Sequence, residues 1–156
     1  MTRTASKLTL ALAVIACTVA SGARQAAAAS QCLSQAEILD VAQMASVMAI
    51  GAALQRCGSC LGPRYQETLD RYETSHLLED FRIAEAAITD KAKSDVADEL
   101  VRQSARDYAY DLSADCKACA AAADTIDELA TPDARAKLYK SEAKRVASRP
   151  ELEGCN

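Results

Sequence analysis

Two Cys-x-x-Cys pairs constrain this chain more than any other feature. They lie in the stretches QRCGSCLG (55–62) and ADCKACAAA (114–122). Cysteines three positions apart on a helix project from the same face, so two antiparallel helical segments lying side by side can be joined by two disulfides. The repeated pair therefore favours a helical hairpin held by two covalent bonds.

The first thirty residues have the three parts of a secretory signal peptide. A basic start (MTRTASK) precedes an apolar run (LTLALAVIACTVASGA), and small residues at Ala27 and Ala29 suit a cleavage site. We predict a signal peptide over 1–29 and a single helical domain over 30–156, exported to a periplasm or beyond the cell. The alternative is a membrane-anchored lipoprotein, because VIAC, ending at Cys17, resembles a lipobox whose cysteine is lipidated. Under either reading Cys17 takes no part in a disulfide, which leaves six of the seven cysteines in the folded part.

Geometry limits how the six remaining cysteines can pair. A helix over 34–56 would hold its ends about 33 Å apart at about 1.5 Å per residue, which places Cys32 too far from Cys57 and Cys60 to bond either. Several pairings stay open after this exclusion. We favour Cys57–Cys119 and Cys60–Cys116 across the hairpin, with Cys32–Cys155 joining the termini.

The same cysteines raise three other kinds of site. A zinc ion would take both pairs as four thiolates, but an oxidising compartment favours disulfides. A covalent haem needs a histidine directly after the second cysteine, where this chain has Leu61 and Ala120. A thiol–disulfide oxidoreductase using Cys57 and Cys60 is our alternative function, although the end of the preceding helix disfavours a thiolate there. We predict no metal and no cofactor.

Charge excludes several classes of partner. The chain has 18 basic and 22 acidic residues and a net charge of −4, and the first thirty residues contain basic side chains but no acidic one. The exported part is therefore more acidic still, which argues against nucleic acid and against anionic membranes. No second apolar run of membrane-spanning length follows, so we predict no membrane span and expect a protein partner.

Helix signals are frequent and strand signals are absent. Ser34 and Glu37 form a capping box that starts the first helix, which should end near Arg56–Gly58. One apolar stripe of this helix comprises Ile38, Val41, Ala45, Met48 and Ala52. The second helix covers 64–89, with an interruption expected at Thr74–Ser75.

A third helix should run from near Ser94 to Leu129, and a fourth begins at Thr131 with Pro132 in its first turn. Short links between helices are typical of bundles. We therefore predict an all-α fold, a small disulfide-stapled bundle of about four helices after a cleaved signal peptide.

One candidate partner-binding face lies on the predicted third helix. Asp107, Asp111 and Asp115 recur every four residues, so three carboxylates should share one helix face with Tyr110 nearby. Such a face would suit a basic protein partner.

Other chemistry is weakly represented. The single histidine, His76, has no nucleophile motif to serve, and no glycine-rich phosphate loop occurs. Met44, Met48 and Phe81 would line a pocket if the protein carried a small apolar ligand, which is a further alternative. We therefore predict a secreted, non-catalytic binding, accessory or inhibitor protein that acts through surface complementarity rather than an enzyme.

Overall fold

The computed structural model describes residues 32–153, which form six α-helices and one short 3₁₀ helix. The elements are α1 (Gln35–Leu61), α2 (Arg64–Thr74), α3 (Leu77–Ala87), α4 (Lys91–Leu112), α5 (Cys116–Glu128), α6 (Pro132–Ala147) and the 3₁₀ helix Pro150–Leu152. No strand occurs in this part of the chain. The all-α class is confirmed, whereas the predicted count of about four helices is too low.

The first additional helix arises at Ser75. Its hydroxyl donates to the Tyr72 carbonyl at 2.6 Å and accepts from the Leu77 amide at 3.3 Å, so one side chain ends α2 and starts α3. The expected interruption at Thr74–Ser75 is thus a complete break between two helices. Serine competes in this way because its short hydroxyl reaches nearby backbone groups.

The second additional helix arises where the predicted third helix divides. Asp90, not Ser94, caps α4, and α4 ends at Leu112. Asp115 then caps α5 by accepting a hydrogen bond from the Ala118 amide at 2.7 Å. A short acid at an N-cap stabilises a new helix start, which here outweighs the continuous apolar spacing.

The two ends of α1 show what local signals can fix. The capping box is present: the Ser34 amide donates to Glu37 at 2.7 Å, and the Glu37 amide donates to the Ser34 hydroxyl at 3.3 Å. At the other end α1 continues past the predicted Arg56–Gly58 to Leu61. It stops at Gly62, whose φ of +53° suits a residue without a side chain.

Helix α1 is the central element, and each of the other five helices packs against it. Twelve of its 27 residues are buried. By length and hydropathy it is the one helix among the described residues that could cross a membrane, but other helices bury 56% of its most apolar window. Its apolar composition is therefore what the centre of this bundle requires.

The core has two main clusters along α1. Around its C-terminal half, Leu54 packs with Leu77 of α3 and Ile126 of α5. Around its N-terminal half, Val41 packs with Leu100 of α4 and Val146 of α6. Every peripheral helix thus contributes to a cluster that α1 organises.

Helices α1 and α4 lie parallel and close together. Near their starts, Lys93 forms an ion pair with Glu37 at 2.9 Å, and near their ends Arg56 lies 5.5 Å from the centre of the Tyr110 ring. The two helices contact each other through a cluster of small residues, namely Ala49, Ala53, Ala105 and Ala109. Because alanines allow backbones to approach, the pair forms one closely packed unit.

A polar contact joins α3 to α6. The Asp80 carboxylate accepts hydrogen bonds from the Arg135 guanidinium and the Tyr139 hydroxyl, both at 2.8 Å. Burial and the hydrogen bond to Asp80 raise the pKa of Tyr139 well above its usual range, so the phenol stays protonated. Arg135 also donates to the carbonyls of Leu129 and Ala130, which fixes the link before α6.

Gly51 lies where α2 approaches α1 most closely. The Tyr72 hydroxyl donates to the Val47 carbonyl at 2.9 Å. A Cβ added to Gly51 would lie 2.9 Å from that hydroxyl oxygen and 3.3 Å from the ring carbon that carries it. The glycine therefore makes room for the hydrogen bond between the helices.

We predict that Gly51→Ala lowers the melting temperature, although alanine is the better helix former by about 1 kcal/mol. The added methyl displaces the hydroxyl and costs a hydrogen bond worth about 1 kcal/mol, together with repacking of the ring. Thermal unfolding followed by circular dichroism measures the effect. Adding Tyr72→Phe should restore part of the loss relative to the single glycine variant, with Tyr72→Phe alone as control. A higher melting temperature for Gly51→Ala alone would contradict this account.

Glu142 of α6 is a buried carboxyl group. It is 3% exposed, one of its oxygens lies 3.2 Å from Arg145, and the other has no hydrogen-bond partner. Burial raises the pKa of Glu142 above 4.5, an effect that the neighbouring arginines only partly offset. Because the folded-state pKa lies above the unfolded one, this group stabilises the fold least once the pH exceeds both values.

We predict that Glu142→Gln changes the pH dependence of stability in one direction. Between about pH 4 and about pH 7.5 the wild type must ionise a buried carboxyl group and the variant need not, so the variant gains stability relative to the wild type as pH rises. Urea unfolding at both pH values measures the difference. A difference in unfolding free energy that stays constant, or moves the other way, would show that Arg145 fully compensates the buried charge.

Candidate functional site

The two Cys-x-x-Cys pairs form two disulfides between the end of α1 and the start of α5. Cys57 bonds Cys119 with a Cα–Cα distance of 5.5 Å, and Cys60 bonds Cys116 with a Cα–Cα distance of 5.0 Å. These are the two hairpin bonds favoured from the sequence. Their crossed order requires α5 to run antiparallel to α1. Two intramolecular disulfides fit an oxidising compartment.

Several sequence predictions fall outside the described residues. The signal peptide and Cys17 lie there, and so does Cys155, so the bond Cys32–Cys155 stays a prediction.

The two disulfides differ in their surroundings. Cys57 and Cys119 are 0% and 2% exposed inside the core, whereas Cys60 and Cys116 are both exposed. Whichever bond forms first closes a loop of up to 62 residues and stabilises the fold by about 4 kcal/mol through chain entropy. The bond that forms second closes a loop of only about eight residues and adds about 2–3 kcal/mol. This entropic contribution is the same for whichever bond forms second, so the two bonds differ mainly in exposure, and Cys60–Cys116 is the one that a reductant can reach without opening the core.

The observed disulfides bear on the redox and metal sites considered from the sequence. Cys57 and Cys60, the predicted exchange pair, bond to α5 rather than to each other. Cys116 is the first residue of α5, where the helix dipole would stabilise a thiolate. Among residues 32–153, no group of three or more His, Cys, Asp or Glu side chains is arranged to hold a metal ion.

The predicted acidic face is divided by the structure. Asp107 forms an ion pair with Arg149 at 2.7 Å, and Asp111 lies 3.6 Å from Arg145. Asp115 lies beyond the end of α4 and caps α5, so the three carboxylates do not share one continuous helix. Each of them has a role within the bundle, which reduces the acidity that this face presents.

A groove between α1 and α4 has a volume of about 750 Å³. Helix α1 lines it with Met48, Ala52 and Arg56. Helix α4 lines it with Arg102, Ala105, Arg106, Asp107, Ala109 and Tyr110. We call this surface the α1–α4 groove. It includes Asp107 and Tyr110 of the predicted partner-binding face.

Two exposed stripes form the walls of the α1–α4 groove. Each stripe has residues four positions apart: Met48, Ala52 and Arg56 on one wall, and Arg102, Arg106 and Tyr110 on the other. Because the helices are parallel and Arg56 covers Tyr110, the opposite end of the groove lies between Met48 and Arg102. The first and last residues of each stripe are eight positions apart, so the groove is about 12 Å long.

The groove combines exposed apolar groups with positive charge. Met48 is 42% exposed and Tyr110 is 63% exposed, both unusually high for large apolar side chains in this protein. Arg102 is paired with Glu99 at 2.7 Å. Within residues 32–153, neither Arg56 nor Arg106 has a carboxylate at ion-pair distance.

Met48 is a correction to the sequence analysis. It was expected in the core stripe with Ala52, but both are exposed, and Val47, Ile50 and Leu54 are buried instead. Apolar residues occur on every side of α1, so their spacing does not identify the face that the other helices cover.

The three residues proposed for an apolar ligand pocket are not brought to one place. Met44 is buried in the N-terminal core cluster, and Phe81 packs against both main clusters. Met48 lies in the α1–α4 groove instead.

A second concavity lies on the outer face of α6, with a volume of about 530 Å³. Its lining contains Lys137, Lys140 and Lys144, with Ala136 as its one apolar side chain. Without an exposed large apolar group it has the character of a solvated helix face. The sole histidine, His76, is likewise on the surface, 3.2 Å from Glu79.

The arginines of the groove were not predicted from the sequence. Arg102, Arg106 and Tyr110 follow the same four-residue spacing that drew attention to the aspartates, so the signal was present. The net negative charge of the chain favoured an acidic binding face instead. Arg56 could not be placed with the arginines of α4 from the sequence, because this requires knowing that α1 and α4 lie parallel.

We predict that mild reduction of the folded protein opens Cys60–Cys116 before Cys57–Cys119. A water-soluble phosphine reaches the exposed sulfurs, whereas the other bond requires the core to open. Alkylation at intervals, followed by peptide mass spectrometry, measures the order. In denaturant, as a control, both bonds should open at similar rates. Simultaneous loss of both bonds under native conditions would show that the core around Cys57 opens freely.

Comparison with known proteins leaves function to be argued from this geometry. The chain matches no protein-family model, no curated protein and no solved structure.

Proposed function

We propose that this protein is a secreted, non-catalytic binding module that docks a protein partner in the α1–α4 groove. The observation that carries the proposal is the exposure of Met48 and Tyr110 in a groove with basic walls. Aromatic, methionine and arginine side chains are enriched where proteins recognise one another. An accessory or inhibitor role would follow from such docking.

The rigidity of the scaffold supports this proposal. Arg56 lies one residue before Cys57, whose disulfide to α5 is buried in the core. The facing wall is held by the alanine contacts between α1 and α4. A surface fixed before binding loses little conformational entropy when a partner arrives, and that raises affinity for a given contact area.

The exposed disulfide supports a second candidate, thiol–disulfide exchange. An external thiolate would attack the sulfur of Cys60, forming a mixed disulfide, and Cys116 would leave as a thiolate at the start of α5. This differs from the pair Cys57 and Cys60 that the sequence suggested. A Cys60–Cys116 bond that resists mild reduction would remove this candidate.

Photo-crosslinking tests the binding function. A benzophenone amino acid replaces Tyr110 in the groove or, as the matched control, Ile83 on α3, which is 61% exposed. We predict that irradiation in the cells that produce the protein gives a discrete protein adduct at position 110 and none at position 83. The two positions have nearly equal exposure, so the comparison separates docking from random collision.

Two results would contradict the proposal. The absence of any adduct at position 110 would mean that the groove is not occupied by a protein. Equal adducts at positions 110 and 83 would mean that exposed apolar side chains collide with proteins without specificity.

A further inference from the structure

We infer that the α1–α4 groove takes an acidic amphipathic helix of the partner, with apolar side chains on the groove floor and carboxylates toward Arg56 and Arg106. The inference rests on the proposed binding function and specifies the chemistry of the segment that docks.

Charge complementarity is the first argument. In a chain with a net charge of −4, this groove is lined by three arginines and one acid. The acid, Asp107, is already paired with Arg149 at 2.7 Å. Arginine binds carboxylates through two parallel hydrogen bonds, and Arg106 and Arg56 have no such partner among residues 32–153.

The spacing of the two arginines is the second argument. Arg56 lies at the end of the groove with Tyr110, and Arg106 lies four residues before Tyr110, which is about 6 Å along the helix axis. They occupy opposite walls. A docked helix would therefore meet them with one acidic residue on each flank, about one helical turn apart.

The groove floor is the third argument. Ala105 and Ala109 on the floor and Ala52 on the wall are small, so a third helix can approach the two helices that form the groove. Met48 and Tyr110 stand beyond this floor at opposite ends and would contact apolar side chains of the guest. A single fatty carboxylate would engage only one of two arginines on opposite walls, so a helix fits better than a lipid chain.

The test uses the full-length oxidised protein and a synthetic probe. The probe is a fluorescent amphipathic helix of about 15 residues, long enough to exceed the groove, with leucines on one face and glutamates on both flanks. Its twin carries glutamine for glutamate. We predict that the glutamate probe binds at least about tenfold more tightly than the glutamine twin, as measured by fluorescence anisotropy.

The protein variants are matched in charge. Arg106→Glu should weaken binding of the glutamate probe by about tenfold or more, because it replaces an attraction with a repulsion inside the groove. Arg82→Glu makes the same change in net charge at another surface, on α3, where the exposed Arg82 has no ion-pair partner among residues 32–153. It should leave the affinity within about twofold.

The other outcomes would contradict the inference. Equal affinity for both probes, or equal effects of Arg106→Glu and Arg82→Glu, would overturn it. Oleate that binds with a dependence on Arg106, while the glutamate probe does not bind, would overturn it in favour of an anionic lipid chain.

The crosslinking experiment separates this inference from the proposed function. A protein adduct at position 110 without probe discrimination would leave the binding function standing and remove the acidic helix. Probe discrimination without an adduct would establish the groove chemistry and remove the proposed cellular role.

Discussion

The burial of apolar residues on several sides of α1 is the constraint on which the rest of this structure depends. This helix carries apolar residues on almost every side, and burying such a surface requires cover from several directions. Five helices supply that cover, and the buried bond Cys57–Cys119 fixes one of them to the end of α1. The stretch left uncovered, around Met48 and Ala52, becomes one wall of the α1–α4 groove.

Sequence-based prediction succeeded for features that depend on residues close together in the chain. The capping box at Ser34 and the cap at Thr131 were predictable because each cap involves residues at most three positions apart. The hairpin bonds could be favoured because helical spacing places both sulfurs of each pair on one face. The interruption at Ser75 was expected, but the break at Asp115 was missed because it lies within continuous apolar spacing, where only the balance between a cap and a longer helix decides.

The groove was less predictable, because its two walls come from helices that are distant in sequence. Each stripe can be recognised in the sequence by itself, but the two stripes face each other only because α1 and α4 lie parallel. The ion pair of Lys93 with Glu37 near the starts of the two helices shows this arrangement. Asp107 and Asp111 were identified as a surface feature, yet Asp111 pairs with Arg145 in the last turn of α6 and Asp107 pairs with Arg149 just beyond that helix. A charge counted in the sequence can thus be neutralised in the fold, while Arg106 has no carboxylate at ion-pair distance in the part of the chain that the structure describes.

For the acidic guest that we propose, opposite charges at two length scales would set the selectivity of the α1–α4 groove. An acidic guest is repelled by the net charge of the whole chain at long range and attracted by Arg56 and Arg106 at contact. Long-range repulsion is screened beyond a Debye length of about 8 Å at physiological salt, whereas contacts in a partly desolvated groove are screened less. Only a guest that places both carboxylates correctly gains enough at contact to offset the repulsion, so acidic segments without that spacing would remain unbound.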